Sequence, residues 1–409
     1  MRIGLYGPIA NAAYTLTRAL RSAGYDAEYL REPADRYPMS QPLWEEAELM
    51  IDPERLPHDL PSDEDWRQLA REHGWEPPTW IVDPARASSG GLGVRRLLRA
   101  RTLASRRDLH EHVRAHAARI DTMAQYDWLV VSGVALVDAW LSGTPYLYWP
   151  NGGDLRIVPF ADETRYERFL AEAMRRSIRG AAVCGTHDPT LADLFGEVGV
   201  SRVPFLPFLV ETDRYAPRPP ERRSELGREV VARSAGRPIL LLAARQDIRW
   251  KGTDKFARAF ARAVGEGAEL FLAISPWGND VDSVGALVPA DAAYVLPGVP
   301  SKPLLVDLYS LADVVVDQFA LGVHGSTMLE ALACATPVLI SLNASLYRSR
   351  WPDWNPPPVL GATTENEILA VLRQIAANGL DLDGLGRAGR EWVAEAHGVH
   401  HAHRFVPAP

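Results

Sequence analysis

The segment Leu311–Leu342, LADVVVDQFALGVHGSTMLEALACATPVLISL, constrains this chain more than any other. It reads as a short buried strand (Val314–Asp317), a glycine-containing loop (Leu321–Gly325), a helix from about Ser326 to Cys334, and a second buried strand (Pro337–Ser341). Two short apolar runs joined by a loop and a helix form a parallel βαβ unit, because parallel pairing needs a crossover that returns the chain to the same end of the sheet. The loop delivers Gly322, His324, Gly325, Ser326 and Thr327 to the helix N-terminus, where unpaired backbone N–H groups and the positive dipole end attract a phosphate. Glu330 follows one turn later. A carboxylate beside a phosphate suits a ribose, since each oxygen accepts from one of two neighbouring hydroxyls. The same residues equally allow a plain helix cap with a solvated Glu330.

A second stretch tips that balance. Pro238–Ala244 (PILLLAA) is a buried-strand run that ends in Arg245; a short polar loop, Lys251-Gly252 and a helix with an apolar face (Phe256, Phe260, Val264) follow. Ligands in open α/β sheets collect at the carboxyl ends of strands. This end carries two cations, the right chemistry for a diphosphate. One cationic strand end and one helix N-terminus with a carboxylate point together at a nucleotide diphosphate.

On these residues the chain resembles the C-terminal half of the retaining, nucleotide-sugar-dependent glycosyltransferases of the GT-B fold, in the large family four. That family carries an Arg, a Lys-Gly a few residues on, and a Glu-x7-Glu segment leading into LEAMACGTPVV. Here stand Arg245, Lys251-Gly252 and LEALACATPVL, with Glu330 on the second glutamate and Gly322 on the first. The first glutamate contacts the donor sugar in the family, so the sugar contact is where this chain departs. The resemblance spans roughly residues 205–342. It implies two Rossmann-like α/β domains facing a cleft, with a nucleoside-diphosphate sugar as co-substrate and neither a tightly bound cofactor nor a metal. By the same resemblance the loop at Gly298-Val299 recognises the base through backbone groups, and Gly7 faces the cleft.

Bulk composition agrees with that architecture. A chain of 409 residues is long enough for two domains, and 47% hydrophobic with 23% charged residues is ordinary for a globular protein. The formal net charge of −8 gives no electrostatic case for nucleic acid. Two cysteines, Cys184 and Cys334, lie in apolar surroundings, which predicts a reducing, cytoplasmic setting. MRIGLYG reads as a strand entering a loop rather than a signal peptide, and no apolar run approaches the length of a transmembrane helix. Twelve tryptophans are many; Trp44, Trp66, Trp75 and Trp80 fall in a Pro-rich region, where packing of irregular segments and stacking on sugar rings both fit.

The N-terminal half supplies the acceptor side. Arg2–Tyr6 and Tyr25–Leu30 read as strands around a helix, Ala12–Ala23; the first loop has Gly4 and Gly7 but no third glycine, which argues against a dinucleotide cofactor. Residues 31–118 interrupt the βα rhythm and read as an insertion or acceptor region. Within it, the basic run Arg95–Arg107 is a solvated helix face or a contact for an anionic acceptor or membrane surface. Rhythm resumes with strands at Tyr126–Gly133 and Tyr146–Trp149. The second ends in Asn151, Gly152, Gly153, Asp154 and Arg156, which place backbone, anion and cation at the sheet's active edge. Asn151 stands where the resembling family often has a histidine. Asp154 is the N-terminal candidate for a catalytic group, with turn formation as the plainer reading. Ala181–Cys184 ends in GTHDP, where His187 reaches towards the cleft or Thr186 and Asp188 cap a helix.

Asp280-Val-Asp282 is too short a pattern to read as a metal site, and the histidine-rich end HGVHHAHRF reads as a polar tail. The expected domains are residues 1–212, 213–390 and a returning segment 391–409. The expected activity is glycosyl transfer with retention to a small-molecule acceptor, of a secondary-metabolite or glycoconjugate kind. Arg245 and Lys251 would stabilise the departing diphosphate. The alternatives are an idle nucleotide-sugar-binding scaffold, an inverting transferase and a sugar-nucleotide epimerase.

Overall fold

The structure is a computed structural model that describes residues 1–7, 9–32, 35, 37–53, 61–84 and 106–407. Strands β1 (Arg2–Tyr6), β2 (Asp26–Leu30), β3 (Met50–Ile51), β4 (Ile81–Val82), β5 (Trp128–Val131), β6 (Tyr146–Tyr148) and β7 (Val183–Cys184) lie in the N-terminal half. The C-terminal half holds β8 (Ile239–Leu242), β9 (Phe271–Ile274), β10 (Ala293–Val295), β11 (Val299–Pro300), β12 (Val314–Val316), β13 (Val338–Ile340) and β14 (Leu360–Gly361). Two parallel six-stranded sheets result, in the orders β4-β2-β1-β5-β6-β7 and β10-β9-β8-β12-β13-β14. The two orders are the same doubly wound pattern, each reversing direction once: between β1 and β5, and between β8 and β12. Central strands such as β5 and β8 are buried throughout, as the continuous apolar runs WLVV and ILLL require with helices on both faces.

Three of the joins between the two halves involve the backbone directly. The chain crosses near Val210, whose N–H donates to the His397 carbonyl (2.8 Å). It returns after the helix Leu382–His397, where Arg390 donates to the carbonyls of Thr212 (3.0 Å) and Tyr215 (2.9 Å). Third, β3 and β11 pair antiparallel, and Ser301 Oγ donates to the Ala47 carbonyl while accepting from the Leu49 N–H.

Several sequence expectations change here. Part of the 31–118 region is structural: β4 completes the first sheet, and residues 43–51 bind the other half. Trp44 and Trp66 are buried with Leu43, Leu49 and Val299 in a small core of their own, because the Pro-rich segment folds back on itself and on β11. Trp80 stacks on Tyr14 at 5.3 Å between ring centroids. Of the basic run Arg95–Arg107, everything up to residue 105 lies outside the described residues. The C-terminal tail is packed rather than polar: Ala402 and Phe405 are buried against the helix Ala12–Ser22, and Trp128 Nε1 donates to the Phe405 carbonyl (2.9 Å). Among the described residues no helix is long and apolar enough to cross a membrane.

Phe405 has no exposed surface. Phe405→Ala is expected to lower stability by about 3–5 kcal/mol, seen as a lower urea midpoint at unchanged slope. A loss below about 1 kcal/mol would mean that the tail is not part of the folded unit.

Candidate active site

Where strand order reverses, neighbouring strand ends leave a crevice with a helix N-terminus on either side. In the C-terminal half this crevice is flanked by the loops after β8 and β12, the two stretches that carry Arg245, Lys251 and Gly322–Thr327. Lys251 Nζ pairs with Asp317 Oδ1 (3.1 Å), and a methyl group placed on Gly325 would lie 3.8 Å from that nitrogen. The cation therefore sits against the start of the helix Ser326–Ala333. That helix begins at Gly325 with no side-chain cap and no acidic residue in its first turn, so its leading N–H groups remain available. Arg245 is more open and pairs with Asp247 (3.0 Å), whose side chain also caps the turn that presents Lys251. Gly322 takes a left-handed conformation (φ 71°) that an L side chain rarely adopts.

His324 is the most constrained residue of the loop. Its backbone N–H donates to Tyr347 Oη (3.0 Å). Its ring is buried between Tyr347 (centroids 5.4 Å, 11°) and His187 of the N-terminal half (5.7 Å, 25°), with His397 edge-on at 5.4 Å. Neither ring nitrogen of His324 has a hydrogen-bond partner among the described residues, nor does Nδ1 of His187. Burial pushes all three imidazoles below their ordinary range, His397 to about 3. The structure thus brings together His187 and His324, which the sequence placed in different domains.

On the N-terminal side the loops after β1, β5 and β6 converge. A methyl group on Gly7 would lie 1.9 Å from Ser132 Oγ, so a side chain there would displace that hydroxyl. Ser132 Oγ accepts from Asn151 Nδ2 (2.9 Å). Asp154 accepts from the N–H groups of Asn151 and Gly152 (3.0 Å each) through Oδ1, and from Gly133 N–H (2.8 Å) and Tyr148 Oη (3.2 Å) through Oδ2. Burial pushes its carboxyl up despite these donors. Both oxygens of Asp154 are thus engaged, by three backbone N–H groups of these loops and by Tyr148 of β6. Gly153 opens a short helix, Gly153–Arg156, and Gly152 before it takes φ 120°. Arg156 is bound to Asp188 (2.7 Å) and Thr190 and is not a free cation; Asp188 caps the following helix. The first loop is itself strained, with Ala10 and Asn11 both left-handed.

Two expectations meet a different environment. Gly298 and Val299 do not form an open loop: Val299 lies in β11, and a methyl group on Gly298 would lie 2.5 Å from Met50 Cγ. Glu330 is neither solvated nor free. Its Oε1 holds Lys302 Nζ (2.5 Å) and its Oε2 accepts from Tyr309 Oη (3.2 Å), with Glu45 of the N-terminal half close enough to raise the Lys302 pKa jointly with Glu330. Sequence reasoning missed Lys302, Tyr347 and His397 because they arrive from separate elements with no shared spacing.

No protein-family model matches the sequence, and no curated protein matches it by sequence. Solved structures do match by shape. HepE from Anabaena, in complex with UDP and glucose, superposes with TM-score 0.61 at 12% identity over 98% of this chain and 96% of that one. Sucrose-phosphate synthase from Thermosynechococcus elongatus gives 0.58 at 15% identity over 99% and 97%. A putative UDP-N-acetylglucosamine 2-epimerase from Listeria monocytogenes gives 0.52 at 13% over 98% and 93%. The chain has the GT-B fold. Between the two sheets of that fold, His187 of the N-terminal half stacks on His324 of the C-terminal half.

The buried imidazoles give this cleft a definite pH response. A histidine held neutral in the folded state but free to protonate when unfolded contributes stability above its unfolded pKa, and that contribution is lost as pH falls. Between pH 7 and pH 5 one such group costs about 2 kcal/mol. His324→Phe, which keeps the stack but cannot titrate, is expected to lose that much less stability than the parent over this interval, measured by urea unfolding at both pH values. Equal losses in the two proteins would show that His324 is not held neutral.

Proposed function

We propose that this protein transfers a glycosyl group from a nucleoside-diphosphate sugar to a small-molecule acceptor held by the N-terminal half. The observation that carries this reading is Lys251 lying against the uncapped start of the helix Ser326–Ala333, with Arg245 at the neighbouring strand end. A cation and a set of free N–H groups at one switch point match a diphosphate, which needs no resident metal when both are present.

In the reaction the bond from the anomeric carbon to the diphosphate oxygen breaks and a bond to an acceptor hydroxyl oxygen forms. Negative charge develops on the departing diphosphate, where Lys251, Arg245 and the N–H groups of Gly325–Thr327 stabilise it. The acceptor proton leaves with the product side of the reaction, to the diphosphate or to water. Glu330 receives the ribose hydroxyls once Lys302 is shared with the incoming nucleotide, and β11 presents Gly298 and Val299 to the base when Met50 moves aside. Gly7, Asn151, Gly152 and Gly153 line the acceptor side. Retention of configuration follows from the family resemblance, and UDP is the first nucleotide to test because HepE was solved with it.

Thermal unfolding with UDP, GDP, ADP and dTDP, without added metal, tests the donor site. Ligand at 100 times its Kd stabilises by about 2.7 kcal/mol, and Lys251→Ala is expected to abolish the shift relative to its own baseline. With donor and acceptor in hand, Lys251→Ala and Arg245→Ala should each lower the transfer rate by about 10²–10³. No shift with any nucleotide would contradict the proposal. Turnover of the donor without acceptor would favour the epimerase, and binding without any turnover would favour an idle scaffold.

A further inference from the structure

Away from the cleft floor, three ligand-type side chains from consecutive helices meet in the N-terminal half. His112 lies on the helix Arg106–Ala115, His116 immediately precedes the helix Ala117–Met123, and Asp138 lies in the first turn of the helix Leu136–Ser142. His112 Nε2 is 2.8 Å from Asp138 Oδ1, and His116 Nδ1 is 3.2 Å from the same oxygen. The two imidazole nitrogens are 3.1 Å apart. Asp138 and His112 are buried, while His116 keeps 29% of its side-chain surface exposed.

We propose that His112 Nε2, His116 Nδ1 and Asp138 Oδ1 bind one divalent first-row transition-metal ion. Metal–nitrogen and metal–oxygen bonds of about 2.1 Å place neighbouring ligands about 3.0 Å apart on an octahedral face and about 3.4 Å apart in a tetrahedron. The three observed separations form such a face. Two imidazoles and one carboxylate form a borderline donor set that selects zinc, iron, cobalt or manganese over calcium or magnesium.

The surroundings favour this arrangement. Asp138 Oδ2 accepts from Arg119 Nε (2.7 Å) and Arg119 also pairs through its second terminal nitrogen (2.6 Å), which turns Oδ1 towards the two imidazoles. The Arg119 charge is itself met by Glu32, and its guanidinium donates to Tyr6 Oη (2.7 Å). Arg119 therefore orients the carboxylate without occupying the ligand oxygen. The exposed side of His116 gives an ion access and leaves solvent-facing positions to complete its coordination. Tyr6 and Glu32 stand at the carboxyl ends of β1 and β2, so the ion braces the acceptor edge of the sheet. The site is independent of the donor reading, and the metal-free chemistry argued for the cleft does not involve it.

The test uses the full chain without a histidine tag, stripped of metal and then dialysed against Co²⁺ or Zn²⁺, with bound metal counted by elemental analysis and the cobalt spectrum recorded. One tight equivalent is expected. It should survive replacement of the tail histidines (His400→Ala, His401→Ala, His403→Ala together), which form a second imidazole cluster among the described residues. His116→Ala, at the least buried ligand, should weaken binding at least about 100-fold, the scale reached by loss of supporting contacts alone. If His116→Ala does not fold, His116→Gln serves instead, with the same loss expected. No tight equivalent, binding insensitive to His116, or binding lost with the tail histidines overturns the proposal and leaves a hydrogen-bonded His–Asp cluster.

Discussion

The helix Ser326–Ala333 begins in the crevice of the C-terminal sheet with its first N–H groups uncapped, and the cleft is arranged around that fact. Four leading amide groups of any helix lack internal partners, and several helices here answer with a Ser, Thr or Asp cap, as at Thr164, Ser224 and Thr364. At Gly325 a side chain is absent and Lys251 stands beside it instead. A cation next to uncapped amides lowers the stability of the empty site, because both repel each other's positive field. Asp317 offsets part of that cost through its ion pair with Lys251. In the proposed function, the anionic diphosphate would offset the rest.

Several contacts hold the two halves together. The ring column His187, His324, Tyr347 and Trp354 crosses from one sheet to the other, and its last pair stacks at 4.1 Å. Beside it, β3 lies on β11 and Lys302 links Glu330 to the Glu45 side of the cleft. These are small interfaces of a few residues each, the kind that domain motions break and remake. Two imidazoles stand in the column, His187 and His324, and His397 lies edge-on beside them with its Nδ1 bonded to the Phe208 carbonyl (2.9 Å).

The fold was legible because it rests on periodicity. Apolar runs such as WLVV and ILLL, glycine-rich loops behind them and amphipathic helices between them leave few alternatives to a doubly wound sheet, and Arg245, Lys251 and Gly325 fell at the ends where such sheets bind ligands. What stayed hidden depends on contacts between distant segments. Nothing near Gly298 announces that Met50 will lie on it, nor does the surrounding of Glu330 announce Lys302. The tail misled for a related reason: HGVHHAHRF is polar on average, yet its single phenylalanine fills a pocket of the first sheet. Asp154 reads as a catalytic candidate because carboxylates at strand ends often are, and the four donors that engage it come into view only in the folded chain.

The claim that matters most is that the cleft selects a diphosphate. Calorimetric titration of the protein with UDP and with UMP, at one ionic strength, tests it without any knowledge of sugar or acceptor. The second phosphate should tighten binding by at least about tenfold, which corresponds to about 1.4 kcal/mol, and Lys251→Ala should erase most of that difference. Equal affinities for the two nucleotides, or no binding of either, would contradict it.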